Sequence, residues 1–141
     1  MPSWTRCCVE CGGEFHTKGG RTFRCPECQP LYRHAYNLYH SALKRAKKAQ
    51  LALDLTPSWI LERLWYPCPR TGLAFASPTT TTGRVPHSPS LDRIDPRKGY
   101  TKRNVQVVAW WYNQAKGEYT DEEVLHLCRL VVKKHTMKAS S

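Results

Sequence analysis

The 141-residue chain contains seven cysteines, whose thiols can bind metal ions, and four of them form two C-x-x-C pairs. Cys8 and Cys11 are the first pair, and Cys25 and Cys28 are the second. Two tight turns of this kind supply the four sulfur ligands of a tetrahedral zinc site. Four protein ligands leave no open position on the ion, so the spacing predicts a structural Zn²⁺ site.

Two alternatives to this ligand set stay open at the level of sequence. Cys7 could replace Cys8 through a C-x-x-x-C spacing, and His16 could replace one sulfur. In either form the segment resembles a zinc ribbon. The first thirty residues contain almost no aliphatic side chains, so the bound ion would supply folding free energy that a core cannot supply.

A second set of candidate residues lies nearer the C-terminus. Asp92 falls on a predicted strand, Asn104 opens the next strand, and Asn113 lies one turn into the helix that follows. A hairpin followed by a helix would bring Asp92 and Asn113 together at one end. One carboxylate and one neutral amide oxygen suit Mg²⁺ that keeps most of its water and phosphate ligands. The same residue types are also common in turns, so the motifs around them must decide whether these residues form a metal site.

Residues 89–117 resemble the HNH endonuclease family in the order of their motifs. The matched segments are Asp92-Arg93-Ile94-Asp95-Pro96 for D-H-I-x-P, Gly99-Tyr100 for the Gly-Gly turn, Asn104-Val105 for N-L, and Asn113 with Lys116 for N/H-x-x-K. The resemblance implies a ββα-metal fold in which Asp92 and Asn113 hold Mg²⁺ or Mn²⁺. It also implies that Asn104 braces the loop between the strands, and that Trp110, Trp111 and Tyr112 lie on a helix packed on the hairpin.

Two positions depart from the family pattern. Arg93 stands where the family has its general base, a histidine, and a guanidinium does not accept a proton in a protein. Arg93 would instead contact the scissile phosphate, and the base would be His87, Asp95 or a metal-bound hydroxide. Val108 and Trp111 stand where many relatives carry a zinc-binding cysteine pair, so we expect apolar packing to hold this hairpin.

The chain is strongly basic, with 22 Lys and Arg against 11 Asp and Glu and a formal charge of +11. Such a surplus indicates a polyanionic partner. A predicted helix over residues 31–53 carries many of the cations and no acidic residue. These side chains would contact phosphate, which gives affinity but little sequence information. The predicted contacts with double-stranded DNA are Arg33, Lys44, Arg45, Lys47, Lys48, Arg97, Lys98 and Lys116.

Caps and chain breakers predict the elements that position these groups. Thr56 and Pro57 begin a second helix that ends before Pro67, and residues 68–90 form an irregular loop. Strands are predicted over 90–95 and 104–108, followed by a helix over 109–116. Thr120 and Glu123 form a capping box for a last helix, and a frayed basic tail is expected over 133–141. The apolar stripe of that helix consists of Val124, Leu127, Cys128, Val131 and Val132, with Cys128 as a small core residue.

Together these features predict a small α+β fold with three parts. They are a zinc-ribbon-like segment over 1–30, a basic helical region over 31–66 and an HNH-like module over 67–141. No apolar run approaches the roughly 20 residues that a membrane span needs. The N-terminus has no secretory signal pattern. We therefore expect no membrane partner and an intracellular location, in the cytoplasm of a bacterial host if a phage encodes the chain.

The leading hypothesis is a metal-dependent HNH endonuclease that nicks or cuts double-stranded DNA, of phage or mobile-element type as the resemblance implies. It would use structural Zn²⁺ and catalytic Mg²⁺ or Mn²⁺, and it could act as a homodimer. The main alternative is an HNH-like DNA-binding protein that has lost catalysis. A third hypothesis is a zinc-stabilised phage packaging partner whose basic surface meets nucleic acid incidentally.

Overall fold

The computed structural model describes residues 2–78 and 81–139. Within these ranges the chain forms the small α+β fold that the sequence predicts, with two separate two-stranded sheets and four helices. The elements, in chain order, are β1 (Trp4–Cys7), β2 (Glu14–Thr17), α1 (Cys28–Ala49), α2 (Pro57–Leu64), β3 (Pro89–Arg93), β4 (Val105–Ala109), α3 (Trp110–Lys116) and α4 (Asp121–Ala139).

The N-terminal sheet carries the first cysteine pair in its turn. β1 and β2 are antiparallel, and the Cys8 amide donates to the Gly13 carbonyl while the Gly12 amide donates to the Cys8 carbonyl, each over 2.9 Å. Gly12 has a φ of 73°, a left-handed conformation that favours glycine. The sequence did not reveal β1 and β2, because Phe15 is the only buried residue in either strand.

Helix α1 begins at Cys28, earlier than the predicted start at residue 31, and ends at Ala49 where the prediction extends to 53. Pro30 is compatible with the earlier start because the first turn of a helix needs no intrahelical N–H bond. Gln50 ends the helix in a left-handed conformation, with a φ of 54°. Small residues form the buried face of α1, namely Ala35, Ala42 and Ala46.

The main core lies where α1, α2 and the β3–β4 hairpin meet. The Thr56 hydroxyl accepts a hydrogen bond from the Trp59 amide at 3.2 Å, which confirms the predicted cap of α2. Apolar side chains from all these elements fill the core, among them Ala42, Ile60, Leu61, Leu91 and Val107. Because α1 buries its alanines there, its long basic side chains project to solvent.

A second apolar cluster supports the start of α3. Cys68 lies in it beside Val108 and Tyr112, and its Sγ accepts a hydrogen bond from the Ala109 amide at 3.2 Å. This confirms that apolar packing surrounds Val108. Trp111 is different, because 49% of it is exposed.

The turn at Cys68 repeats the backbone pattern of the turn at Cys8. The Cys68 amide donates to the Leu73 carbonyl, and the Gly72 amide donates to the Cys68 carbonyl, over 2.9 and 2.8 Å. Gly72 also has a φ of 73°. Thr71 stands where the N-terminal turn has Cys11, so this second turn has the shape of a metal-binding turn with a single thiol.

The last helix differs from its prediction in what it buries. The capping box is confirmed, with the Thr120 amide 2.8 Å from Glu123 Oε2 and the Glu123 amide 3.1 Å from Thr120 Oγ1. Of the predicted stripe, Val124 is buried, whereas the core assignment of Cys128 is wrong because this residue is exposed. The physical reason is that α4 extends beyond the body of the protein after its first turn.

The helix also continues through the predicted frayed tail as far as Ala139, and residues 140 and 141 lie outside the described ranges. Among the described residues, no helix combines the length and the apolar character that a membrane span requires.

Candidate active site

The four cysteines of the two C-x-x-C pairs converge on one point. Their Sγ atoms all lie within 4.8 Å of one another, and those of Cys11 and Cys25 are 3.9 Å apart. Sulfurs on a tetrahedral zinc ion, at about 2.3 Å from it, are separated by about 3.8 Å. The cluster of Cys8, Cys11, Cys25 and Cys28 therefore fits a zinc-binding segment.

The two alternatives for this ligand set are not supported by the geometry. Cys7 is exposed at the end of β1 and lies outside the cluster. His16 lies in β2, where its Nδ1 pairs with the Thr5 hydroxyl at 3.1 Å. Cys8 is buried and faces the other sulfurs, so it is the residue placed to bind.

The electrostatics of the cluster favour a bound cation. Burial opposes ionisation of Cys8, but hydrogen bonds from the backbone of Cys11, Cys25 and Glu10 lower the pKa of its thiol to about 6. Burial and the neighbouring thiols raise the pKa of Cys28. A divalent cation at the centre of the cluster would stabilise the thiolate form of these sulfurs.

Asp92 and Lys116 form the centre of the second site. Asp92 lies on β3, and Lys116 lies in the last turn of α3 with none of its surface exposed. Lys116 Nζ is 3.0 and 2.8 Å from the two carboxylate oxygens of Asp92, and 2.9 Å from the Arg93 carbonyl. The prediction that Lys116 contacts DNA is therefore wrong, because its cation is buried and paired.

A small cavity of about 170 Å³ opens beside this ion pair. The hairpin, the end of α3 and the basic helix α1 all contribute to its wall. The residues that line it include Arg45, Asp92, Arg93, Tyr100 and Asn113. Three of the predicted catalytic residues thus meet at one place, together with one of the predicted DNA contacts.

Asn104 braces the hairpin loop as expected. Its Oδ1 accepts a hydrogen bond from the Asp95 amide at 2.9 Å, and its Nδ2 donates to the carbonyls of Asp95 and Gly99 at 3.0 and 2.9 Å. All these bonds lie between the two strands. Asn104 is therefore a positioning residue for the loop, and it does not line the cavity.

Two guanidinium groups lie over one aromatic ring at the cavity. The Cζ atoms of Arg93 and Arg45 are 5.0 and 5.7 Å from the ring centroid of Tyr100. Tyr100 is buried, and Arg93 also donates to the Lys98 carbonyl at 3.2 Å. The ring attracts both cations, and both arginines line the same cavity, an arrangement that favours a bound anion.

The residues at the cavity fit a divalent cation. Asn113 donates through Nδ2 to the Ser90 hydroxyl at 2.8 Å and to the Leu91 carbonyl at 3.1 Å, and its Oδ1 receives no hydrogen bond from any described residue. Asp92 Oδ2 accepts from both Lys116 and Gln106, whereas Oδ1 accepts from Lys116 alone. One amide oxygen and one carboxylate oxygen thus have lone pairs to spare, as a hard cation with water and phosphate ligands requires.

Neither side-chain candidate for the general base lines this cavity. His87 precedes β3 by two residues, and its buried Nε2 has no hydrogen-bond partner among the residues that the structure describes. Asp95 lies in the hairpin loop, where hydrogen bonds from Arg97 hold the pKa of its carboxyl below the usual range and make it a poor proton acceptor. The structure does not bring either residue to Asp92.

Sequence reasoning missed a polar network behind Asp92. Gln106 faces Asp92 across the hairpin, and its Nε2 lies 2.8 Å from Asp92 Oδ2 and 3.1 Å from Asp121 Oδ1. Arg70 Nη2 is 2.8 Å from Asp121, and the Tyr112 hydroxyl donates to the same carboxylate. Burial and Asp121 raise the pKa of Tyr112. The register opposite Asp92 could have identified Gln106, but no sequence signal connects Asp121 to the site.

Comparison with known proteins supports this fold. No family model matches the chain, and no curated protein matches it. Among solved structures, the chain is similar to the rare-cutting HNH restriction endonuclease PacI, with a TM-score of 0.52 and 18% sequence identity. The alignment covers 95% of this chain and 98% of that chain. The resemblance to HNH endonucleases is thereby confirmed for the fold.

Proposed function

We propose that this protein is a metal-dependent endonuclease that hydrolyses phosphodiester bonds in double-stranded DNA. One observation carries the proposal: Asp92, Arg93, Asn113 and Arg45 line a single cavity. A phosphodiester is negatively charged. A cation held by the oxygen ligands and the two guanidinium groups beside it can both stabilise that charge. The fold shared with an HNH restriction endonuclease agrees with this chemistry.

The arginines would bind the scissile phosphate. Arg93 comes from the hairpin and Arg45 from the basic helix, and both lie over the Tyr100 ring. A phosphate between them would accept charge-assisted hydrogen bonds, which are stronger than neutral ones. Because the two arginines come from different elements, the phosphate would also fix the DNA backbone relative to α1.

Asp92 and Asn113 would hold Mg²⁺ or Mn²⁺ through their available oxygens. Such an ion supplies stabilisation of negative charge on the phosphate and the leaving oxygen. Lys116 orients the Asp92 carboxylate by donating hydrogen bonds to both of its oxygens. Asn104 keeps the loop after Arg93 in place.

The rest of the chain would grip the duplex. The cysteine cluster would hold structural Zn²⁺ at the N-terminal end of α1. Exposed cations on α1 and on the hairpin loop would contact phosphates, and they are Arg33, Lys44, Lys47, Lys48, Arg97 and Lys98. The chain's +11 charge favours such contacts.

Nicking of supercoiled plasmid in Mg²⁺ or Mn²⁺ tests the proposal. Replacing Asn113 or Arg45 by alanine should lower the nicking rate at saturating protein about 100-fold or more, the scale found when one transition-state donor is removed. Lys47→Ala is the matched control, because Lys47 is exposed on the same helix but does not line the cavity. Its rate at saturation should be unchanged. Equal rates in all the variants would contradict the assignment of the site.

A second function is favoured by the position of the histidines. Arg93 replaces the family's histidine, and His87 does not line the cavity, so an HNH-like protein that binds DNA without cutting it is the alternative. Salt-dependent DNA binding without nicking in either metal would support it.

On the resemblance alone we further propose a phage or mobile-element type and an intracellular location in a bacterial host, with a packaging role as the third hypothesis.

A further inference from the structure

The apolar stripe of α4 has no partner within the described part of the chain. After Val124, the helix presents large apolar side chains to solvent along one side. At about 100° per residue this side spans less than half of the helix circumference. Its members are Leu125, Leu127, Cys128, Val131 and Val132. About half or more of each leucine and valine in this set is exposed.

Such a helix needs something to pack against. Most helical stability in proteins comes from burial of an amphipathic face and not from intrinsic propensity. Only the start of α4 has this support, because Val124 is buried in the cluster around Cys68. A contiguous exposed apolar surface that spans several side chains marks an interaction site.

The surface is larger than one helix face. Leu125, Cys128 and Val132 line an apolar groove of about 520 Å³ along α4. Leu125 and Cys128 also line a second groove of about 370 Å³, which Trp111 borders on the body of the protein. The stripe therefore continues from the projecting helix onto the body, as an interface of ordinary size requires.

We propose that this surface binds a second copy of the chain, with the two α4 helices antiparallel along their stripes. The charges on α4 favour this occupant and this direction. Its first turn contains Asp121, Glu122 and Glu123, whereas Arg129, Lys133 and Lys134 lie further along. An antiparallel pair places the acidic end of each helix beside the basic part of the other, and a parallel pair places like charges together.

The proposal does not depend on nuclease activity. It does have a consequence for the cavity, because Asp121 in the first turn of α4 is hydrogen-bonded to Gln106, which in turn bonds Asp92. A symmetric pair would present two such cavities related by a two-fold axis.

Sedimentation of the full, zinc-loaded chain tests the proposal. The wild type should sediment with twice the monomer mass of 16.3 kDa. Leu125→Asp and Val132→Asp should shift it to the monomer, or raise the dissociation constant at least ten-fold. His126→Asp is the matched control, because His126 is exposed but lies on the opposite side of the helix, whereas Leu130 is three residues from Leu127 and borders the stripe. The His126→Asp variant should remain dimeric.

At about 100 μM protein, a dimer with a micromolar dissociation constant is mostly formed. A wild type that is still monomeric at this concentration would overturn the proposal and leave another protein as the occupant. Equal dissociation by His126→Asp would also overturn it. Zinc content and near-ultraviolet circular dichroism establish that each variant is folded, and Val131→Asp replaces any variant that is not.

The direction of pairing has its own test. Glu122 is exposed at the acidic end of α4. Glu122→Lys should weaken an antiparallel dimer by about two- to five-fold, the range expected for exposed charge pairs. Tighter association would overturn the antiparallel arrangement, since a parallel dimer gains from loss of a like charge.

Discussion

Lys116 Nζ lies 3.0 and 2.8 Å from the two carboxylate oxygens of Asp92, and at most 3% of either side chain is exposed. The pair joins the last turn of α3 to β3. Its lysine also donates to the Arg93 carbonyl at 2.9 Å, so the ammonium group has a partner for each of its three protons. This pair fixes the orientation of the carboxylate at the cavity.

Lys116→Met should lower the free energy of unfolding by about 3–5 kcal/mol, because it leaves the buried Asp92 carboxylate without its counter-charge. Urea denaturation measures the change. Lys98→Met is the matched control, because Lys98 is exposed on the hairpin loop, and such surface changes stay within about 0.5 kcal/mol. Similar losses in both variants would show that the ion pair has no special role in stability.

Gly99→Ala should destabilise the hairpin, because a Cβ at this position would lie 2.4 Å from the Ala52 carbonyl oxygen. The segment before α2 packs here, and the Tyr100 amide donates to the same carbonyl at 2.8 Å. We expect a loss of about 1–3 kcal/mol in urea denaturation, typical of overpacking. Gly20→Ala is the control, since a Cβ there meets nothing within 4 Å. A wild-type stability for Gly99→Ala would contradict the close packing.

Zinc removal should unfold the N-terminal segment, and Cys8→Ser should do the same, because the four thiolates of the cluster would hold the ion together. Cys7→Ser should leave the zinc content at one ion per chain, since Cys7 lies outside the cluster. Atomic absorption and circular dichroism measure zinc content and folding. Loss of zinc in Cys7→Ser with retention in Cys8→Ser would reverse the ligand assignment.

Stability should fall in mild acid in part because of His34. Burial lowers the pKa of this side chain below its usual 6.5, so the unfolded chain takes up the proton first as the pH falls through about 6.5. Above that pH, His34 is neutral in both the folded and the unfolded chain, so it does not make stability depend on pH. The difference in unfolding free energy between wild type and His34→Gln should therefore shift against the wild type between pH 7.5 and 5.5. A difference that is independent of pH would contradict this.

The sequence revealed local features of the fold more fully than its long-range contacts. The cap at Thr56 and the capping box at Thr120 depend on residues three positions apart, and both were predicted. The brace at Asn104 came from the resemblance to HNH endonucleases, and its partners lie five and nine positions away. Lys116 was matched to the closing motif of the family and predicted to contact DNA, but neither its burial nor its pairing with Asp92 could be read from that motif. The link from Gln106 to Asp121 depends on how α4 approaches the hairpin, which no local pattern encodes. For the same reason the stripe of α4 was assigned to the core of its own chain.

Helix α1 connects the two chemical centres of the molecule directly. It begins at Cys28, a member of the sulfur cluster, and it carries Arg45 at the cavity. At 1.5 Å per residue these two positions are about 26 Å apart along the helix axis, a span of about eight base pairs at 3.4 Å each. The helix therefore sets a fixed distance between the cysteine cluster and the cavity. In the proposed function, the length of α1 would set the distance along the duplex between the scissile phosphate and the contact made by the N-terminal segment.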